Sequence, residues 1–322
     1  MAKAPSIGLP AFSAHTRLLV VAPHPDDETI AAGLLIQQVR AAGGEVQILL
    51  LTGGDNNPWP QRWLEHRLRI GAPERRRWAQ RRQVEMRQAL EVLGLTESAL
   101  QALDWPDMGL TELLLQPGGQ AVAMVARRID AFAPDLIAFP SLTDRHPDHG
   151  AAHVLVRLAL LTTAARPLLL AYLVHGQASA STFVEIPPTP AQVSAKRLAL
   201  LEHHSQMALS GTRLRQLAER AEHHVEQRLS STATSTVLPW KPPSWLRPWL
   251  RLSVVCARQA HQWSWRDAPL QRTADGSFEL CLPVDEGTDL CFAKLSCSLR
   301  SPWIFDHWGW CELRTGAGQP AG

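Results

Sequence analysis

Tyrosine is nearly absent, with one in 322 residues (Tyr172), and neither sign of charge prevails: 32 Lys and Arg face 30 Asp and Glu, a net charge of +2. This balance excludes a chain whose bulk charge recruits nucleic acid, so any anion binding must be local. Long apolar runs are also missing. The longest apolar stretch, residues 159–174, is broken by Thr162, Thr163 and Arg166 and is too polar for a membrane-spanning helix. The first fifteen residues lack the charged-then-apolar layout of an export signal. The expectation is an intracellular, cytoplasmic protein. No cysteine occurs before Cys256. The five present (Cys256, Cys281, Cys291, Cys297, Cys311) are odd in number and contain no C-x-x-C, which argues against a zinc ribbon or redox pair and predicts free thiols rather than a disulfide framework.

What is present is apolar material for a substantial core, 45% hydrophobic against 19% charged residues, in a chain too long for one small domain. The run 17–22 is apolar throughout, as strands buried on both faces of a parallel sheet are, and a helix pattern over 27–42 stops at Gly43-Gly44. A second run at 46–51 completes a β-α-β unit. The alternation continues with a helix over 75–93, a run at 99–103, a helix over 121–132, a strand at 136–139, a helix over 150–161 and a strand at 168–174. Helical patterns over 191–204 and 214–229 follow. Strands alternating with helices predict an α/β fold: a Rossmann-like, mostly parallel sheet with helices on both faces.

The composition changes at Ser230. Ser-Ser-Thr-Ala-Thr-Ser-Thr reads as a linker, and eight of the twelve tryptophans and every cysteine lie beyond it. The expected domains are 1–229 and a small, Trp-rich, β-rich C-terminal module over 230–322, with about three antiparallel strands within 277–284, 289–298 and 303–313.

Two clusters carry chemistry. Pro23-His24-Pro25-Asp26-Asp27-Glu28 follows the first strand, and Arg145-His146-Pro147-Asp148-His149 follows the strand ending at Phe139. In an open α/β sheet ligands bind beyond the carboxyl ends of the strands, so clusters after two different strands can converge there despite 120 intervening residues. Asp26, Asp27 and Glu28 also suit a helix N-terminus as simple caps. Capping leaves the histidines unexplained, because a helix N-terminus disfavours an imidazolium. Metal ligation explains them: His24 and Asp27 from one tight turn and His149 from the other loop leave a fourth position for water. The donor set suits a divalent ion, zinc first, with iron(II) or another divalent ion as substitute. Asp26 is then placed as general base, His146 as proton carrier for the leaving group, and Asp148 as the group that orients or stabilises His146. Together these describe hydrolysis of a carbonyl centre, most simply an amide.

These residues resemble the PIG-L/LmbE-like de-N-acetylases, whose signature is an apolar strand followed by (A/P)-H-P-D-D-E and a later H-P-D-H. Both motifs are intact here. The resemblance extends to Thr52-Gly53-Gly54, Arg82-x-x-Glu85, Pro106-Asp107, and Lys196 with Ser205-Gln206, and so covers residues 15–228. It implies a zinc hydrolase that removes acetyl from an N-acetylglucosamine-type sugar in a glycoconjugate. It implies His24, Asp27 and His149 on zinc, Asp26 as base, His146 as acid or oxyanion stabiliser, and Arg82 and Asp107 as sugar contacts. The chain departs from the family at Asp144, where some members place a tyrosine that helps stabilise the oxyanion.

Two further features keep alternatives open. Nine arginines (62, 67, 69, 75, 76, 77, 81, 82, 87) crowd residues 52–87 against Asp55, Glu65, Glu74 and Glu85; they read as a solvated helix face or as a site for a phosphate- or lipid-linked acceptor. Trp240, Trp245 and Trp249, interleaved with Lys241, Arg247 and prolines, read as module packing, peripheral contact with the inner face of a membrane, or glycan stacking. Competing functions are a zinc amidase of a small thiol or antibiotic conjugate and a catalytically silent glycan-binding protein of the same fold.

Overall fold

Arg17–Ala22 (β1) opens the structure, a computed structural model that describes residues 9–176, 184–219, 222–227, 236–257, 259–281, 290–299 and 305–313. Asp27–Ala41 (α1) follows and ends where Gly43 turns the chain at φ 82. The elements then run Glu45–Thr52 (β2), Pro58–Glu65 (α2), Ala72–Val92 (α3), Leu100–Trp105 (β3), Leu110–Leu114 (α4), Gln120–Phe132 (α5), Leu136–Pro140 (β4), Pro147–Ala159 (α6) and Leu168–Tyr172 (β5). Val184–Ile186 (β6), Pro190–Glu202 (α7), His204–Ala218 (α8) and Glu222–Gln227 (β7) complete the first sheet. Its seven strands lie in the order β3-β2-β1-β4-β5-β7-β6, the first five parallel, β7 antiparallel to β5 and β6 antiparallel to β7. The mostly parallel α/β fold is therefore present. The helix expected over 214–229 is not continuous: α8 ends at Ala218 and Glu222–Gln227 forms β7, whose ladder with β5 overrides a polar stretch of weak helical pattern. The short α2 has no counterpart among the expected elements.

Contacts divide the chain into two compact units, residues 1–109, 129–141 and 165–227, and residues 110–128, 142–164 and 228–322. In the first, the alternation along β1 sends Leu18, Val20 and Ala22 into a core shared with Leu34 and Leu35 of α1, Met86 and Leu90 of α3 and Leu200 of α7. Leu19 and Val21 point the other way and are equally buried, which is why the run is apolar throughout. Each such Leu, Val or Met side chain contributes about 1.5–3 kcal/mol on burial. An ion pair enters this core: Lys196 of α7 and Glu222 of β7, 2.6 Å apart and both about 1% exposed. Lys196 Nζ donates to Ile30 O, while the Glu222 carboxylate accepts the Leu34 and Leu35 N–H groups, so the pair serves helix groups that normally serve each other. Gly33 makes room, since a Cβ there would stand 3.2 Å from Lys196 Cγ.

The second unit contains two antiparallel sheets rather than three strands. Val237–Leu238 (β8), Leu250–Cys256 (β9), Ala260–Ser264 (β10), Leu270–Arg272 (β11), Phe278–Leu280 (β12), Cys291–Cys297 (β13) and Trp310–Leu313 (β14) pair as β10-β9-β13-β14 and β11-β12-β8. The expected strands overlap β12, β13 and β14; β8 and β11 are only two and three residues long, and β9 and β10 have no counterpart among the expected elements. The expected linker at 230–236, apart from Thr236, lies outside the described residues, as do residues 282–289 and 301–304. Cys256 and Cys291 face each other in the β9–β13 ladder, Cα atoms 4.3 Å apart, and form a disulfide. This corrects the free-thiol expectation for that pair, which strand register, invisible in cysteine spacing, brings together. Cys281, Cys297 and Cys311 are thiols. Trp240 packs in the core beneath these sheets, whereas Trp245 and Trp249 are exposed.

One face of α6 lies on β13 and β14. Gly150 permits the approach, because a Cβ there would come within 2.8 Å of Trp310; His153 meets the Phe292 ring edge at 6.1 Å, and Arg157 pairs with Glu312 at 3.2 Å. These positions, three to four residues apart, form one helical stripe. The C-terminal sheet thus holds the helix that carries the second motif.

Candidate active site

The reversal of strand order falls between β1 and β4, the switch point at which open α/β sheets bind ligands. Val20 pairs with Ala138, so the parallel strands end side by side at Ala22 and Pro140, and the chain segments bearing the two motifs leave from the same sheet edge.

In the first unit, residues 24–27 form a tight turn closed by Asp27 N–H donating to His24 O at 3.3 Å. Asp27 Oδ2 accepts the His24 backbone N–H at 3.0 Å and lies 3.3 Å from Nδ1 of the His24 ring. The opposite ring nitrogen, Nε2, lies 3.2 Å from Asp107 Oδ1. Burial would raise the Asp107 pKa, but the His24 hydrogen bond and charge, the Asn56 N–H and Arg82 outweigh it and hold the carboxyl well below its usual range.

Asp26 occupies the N-cap position of α1 at φ 127, outside the region that side chains favour, and its carboxylate makes no capping hydrogen bond. Capping therefore does not account for this carboxylate, and a strained conformation of about 1–3 kcal/mol is maintained by its surroundings. Those surroundings are Glu28, which accepts the Asp26 N–H at 3.0 Å, and Arg82, 3.4 Å from Asp26 Oδ2. Arg82 also donates to Pro25 O and Gly54 O, which fastens the motif turn to the loop after β2. Burial pushes the Asp26 carboxyl up to about 6, against the opposing Arg82 charge and with help from Asp27. Glu28 is fully buried, pairs with His203 Nε2 at 3.2 Å and accepts from Thr29 Oγ1. Although burial disfavours the imidazolium, Glu28 raises the His203 pKa.

In the second unit, Asp144 organises the second motif. Its Oδ1 accepts the His146 N–H at 2.9 Å, and its Oδ2 lies 3.1 Å from Nδ1 of the fully buried His149 ring. His146 is the N-cap of α6, and its Nδ1 accepts the Asp148 N–H at 3.3 Å, which assigns the proton of the neutral ring to Nε2. The Asp148 carboxylate accepts the Leu110 N–H at the start of α4. Phe305 stands edge-on to His146, ring centroids 6.4 Å apart, beneath Arg145.

Sequence reasoning named His24, Asp26 and Asp27 in the first unit and His146, Asp148 and His149 in the second. It gave Arg82 and Asp107 to the substrate; in the structure Arg82 contacts Pro25, Asp26 and Gly54, and Asp107 contacts His24 and Asn56. It missed Asp144, visible only as a departure from a family pattern, and Glu28, His203 and Phe305, whose relevance depends on tertiary proximity. Tyr172, the sole tyrosine, is buried and donates to Val21 O at 2.7 Å, a structural role.

Each of these strand-end loops of the α/β fold presents an imidazole backed by a carboxylate, a donor type that could hold a metal ion. Residues 19–160 match the family model described as GlcNAc-PI de-N-acetylase, PIG-L. Over this stretch, less than half of its length, the chain is similar to the PIG-L/LmbE-like de-N-acetylases. It is 29% identical over 161 residues to 1D-myo-inositol 2-acetamido-2-deoxy-alpha-D-glucopyranoside deacetylase of Mycolicibacterium gilvum, a match covering 45% of this chain and 54% of that protein. The chain thus spans about half the length of this curated relative. Two solved structures share the fold. One is N,N'-diacetylchitobiose deacetylase of Pyrococcus horikoshii (TM-score 0.52, 17% identity, 66% of this chain and 84% of that one). The other is a triple mutant of a deacetylase of the teicoplanin biosynthetic pathway (TM-score 0.52, 18% identity, 66% and 99%).

Proposed function

We propose that the chain is a metal-dependent hydrolase that removes the acetyl group from an N-acetylated, GlcNAc-type amino sugar in a glycoconjugate, releasing acetate and a free amine. The observation that carries this reading is the matched pair of motifs after adjacent parallel strands, each with a histidine held by an aspartate, His24 by Asp107 and His149 by Asp144.

The donors fit a divalent ion. Ligand atoms about 2.0–2.1 Å from a tetrahedral ion stand about 3.3–3.4 Å apart, and His24 Nδ1 and Asp27 Oδ2 are separated by 3.3 Å. Asp107 behind His24 and Asp144 behind His149 supply the carboxylate partners that orient ligating imidazoles and raise their basicity. His24, Asp27 and His149 would hold the ion, with zinc the first choice and iron(II) an alternative. The ion supplies Lewis-acid polarisation of the amide carbonyl and water activated near neutral pH.

The residues of the chain do the rest. Asp26, its carboxyl near the middle of the useful range, takes the proton of the attacking water as a C–O bond forms at the acetyl carbon. His146, neutral with its proton on Nε2, offers that N–H as a hydrogen bond to the developing oxyanion, and the proton taken up by Asp26 passes to the departing nitrogen, so that C–N cleavage leaves a neutral amine. Asp148 fixes the His146 ring through its backbone N–H. We assign to Arg82 and Asp107 first the positioning of Asp26 and His24, a role that leaves room for sugar contact.

The test is acetate release from N-acetyl sugars presented free, phosphorylated and lipid-linked, with and without chelator. Chelator-sensitive release that disappears in Asp26→Ala supports the proposal. Turnover retained by Asp26→Ala removes the base assignment, and no release from any sugar by the metal-loaded chain removes the activity.

A further inference from the structure

The segment between the Gly54 turn and α3 bears a surface that the proposed chemistry does not use. Trp59 and Trp63 are four residues apart in α2, share one helical face and are 65% and 63% exposed. Leu68, just beyond the left-handed turn at His66, is 90% exposed. Arg62 lies 4.9 Å over the Trp59 ring. Six arginines stand against two glutamates between residues 56 and 77. Both glutamates are already engaged, Glu65 by Arg77 and Glu74 by Arg67 and Arg77. Arg69 and Arg76 are exposed and pair with no carboxylate among the described residues.

A lone exposed apolar side chain requires no explanation, but two indoles and a leucine within ten residues, ringed by surplus guanidinium groups, do. The combination matches a helix lying in a headgroup layer, with rings and Leu68 reaching the acyl boundary and the cations among the phosphates. A glycan would use the indoles and leave the charge idle, and a nucleic acid would use the charge and leave Leu68 in water. We propose that α2, the turn through Arg69 and the first turns of α3 dock the protein on an anionic lipid bilayer. The complementarity is of charge and of amphipathic side chains together. No helix among the described residues is long and apolar enough to cross a membrane, so the surface acts peripherally. Docking stands independently of the hydrolase proposal, because it is read without turnover.

The experiment is co-sedimentation of the full chain with phosphatidylcholine vesicles, with and without phosphatidylglycerol, at low and high salt. Binding to the anionic vesicles alone is expected, weakened by salt. Arg69→Ala with Arg76→Ala lowers the partition coefficient roughly thirtyfold, at about 1 kcal/mol per arginine. Trp59→Ala with Trp63→Ala lowers it on the order of tenfold or more. Trp245→Ala with Trp249→Ala leaves it unchanged. All six sites are exposed, and an unaltered thermal midpoint confirms that the variants are folded. Wild type left in the supernatant of both vesicles overturns the proposal. So does binding that survives both the arginine and the Trp59/Trp63 variants, or a dimer that reverts to monomer in the Trp59/Trp63 variant while vesicles go unbound.

Discussion

Replacing Lys196 by Met tests whether the inserted ion pair supports the helix that presents Asp27. Methionine keeps the apolar stem against Gly33 but leaves the Glu222 carboxylate buried without its cation and Ile30 O without its donor. Breaking a buried pair by removing one partner costs about 3–5 kcal/mol. Glu222 would still accept two α1 N–H groups, which places the expected cost near the lower end, about 3 kcal/mol. Adding Glu222→Gln removes the orphaned charge while its amide can accept from Leu34 and donate to Ile30 O, so the double variant should cost less than Lys196→Met alone, with a coupling on the order of 2 kcal/mol. Urea unfolding of both variants gives the free energies, and native-state hydrogen exchange of the α1 amides localises the loss. A Lys196→Met cost below about 1 kcal/mol, or a double variant equal to the sum of the singles, would refute the reasoning.

Other predictions address the two motifs. Asp144→Ala should weaken zinc affinity about 10–100-fold by releasing the His149 ring, with Asp144→Asn intermediate, as measured by competition with a chromophoric chelator; unchanged affinity in the Ala variant contradicts the role of Asp144. Because Asp26 must be ionised to accept a proton and its pKa is raised from 3.8 to about 6 in the metal-free protein, kcat/KM should fall as pH drops through an acid limb at or below 6; a bound cation, favouring the carboxylate, moves the limb lower. A flat profile in Asp26→Glu and wild type alike across that range excludes Asp26 as the titrating base. Gly54→Ala should cost at least about 1–2 kcal/mol and reduce turnover, because Gly54 has φ +63 and a Cβ there would fall 1.8 Å from Arg82 Nη1; urea unfolding and acetate release read the two effects. Gly150→Ala should cost about 1–3 kcal/mol by forcing α6 from Trp310, and an unfolding free energy equal to wild type would show that the contact is slack.

The parallel core was legible because its strands are buried on both faces: 17–22 and 136–139 could hardly be anything else, and both motifs follow such strands. β7 was not, since His-His-Val-Glu alternates too weakly to announce an antiparallel partner for β5. The short strands of the C-terminal sheets, and the Cys256–Cys291 bond between two of them, depend on register across 35 residues. Residue types adjacent in sequence singled out His24, Asp26, Asp27, His146, Asp148 and His149 as candidates. The carboxylates behind the histidines were hidden, because Asp107 reaches His24 only through the fold, and Asp144 was recognisable only as a missing tyrosine. The same holds for Phe305, which approaches His146 from 159 positions further along the chain.

Zinc titration of wild type against single alanine variants, followed by X-ray absorption at the zinc edge, addresses the metal assignment most directly. The account predicts about one zinc per chain in wild type and in Asp26→Ala, an inner shell containing two imidazole nitrogens, and loss of binding in His24→Ala, Asp27→Ala and His149→Ala. Stoichiometric zinc of undiminished affinity in His149→Ala, or a wild-type shell with a single imidazole, would contradict it.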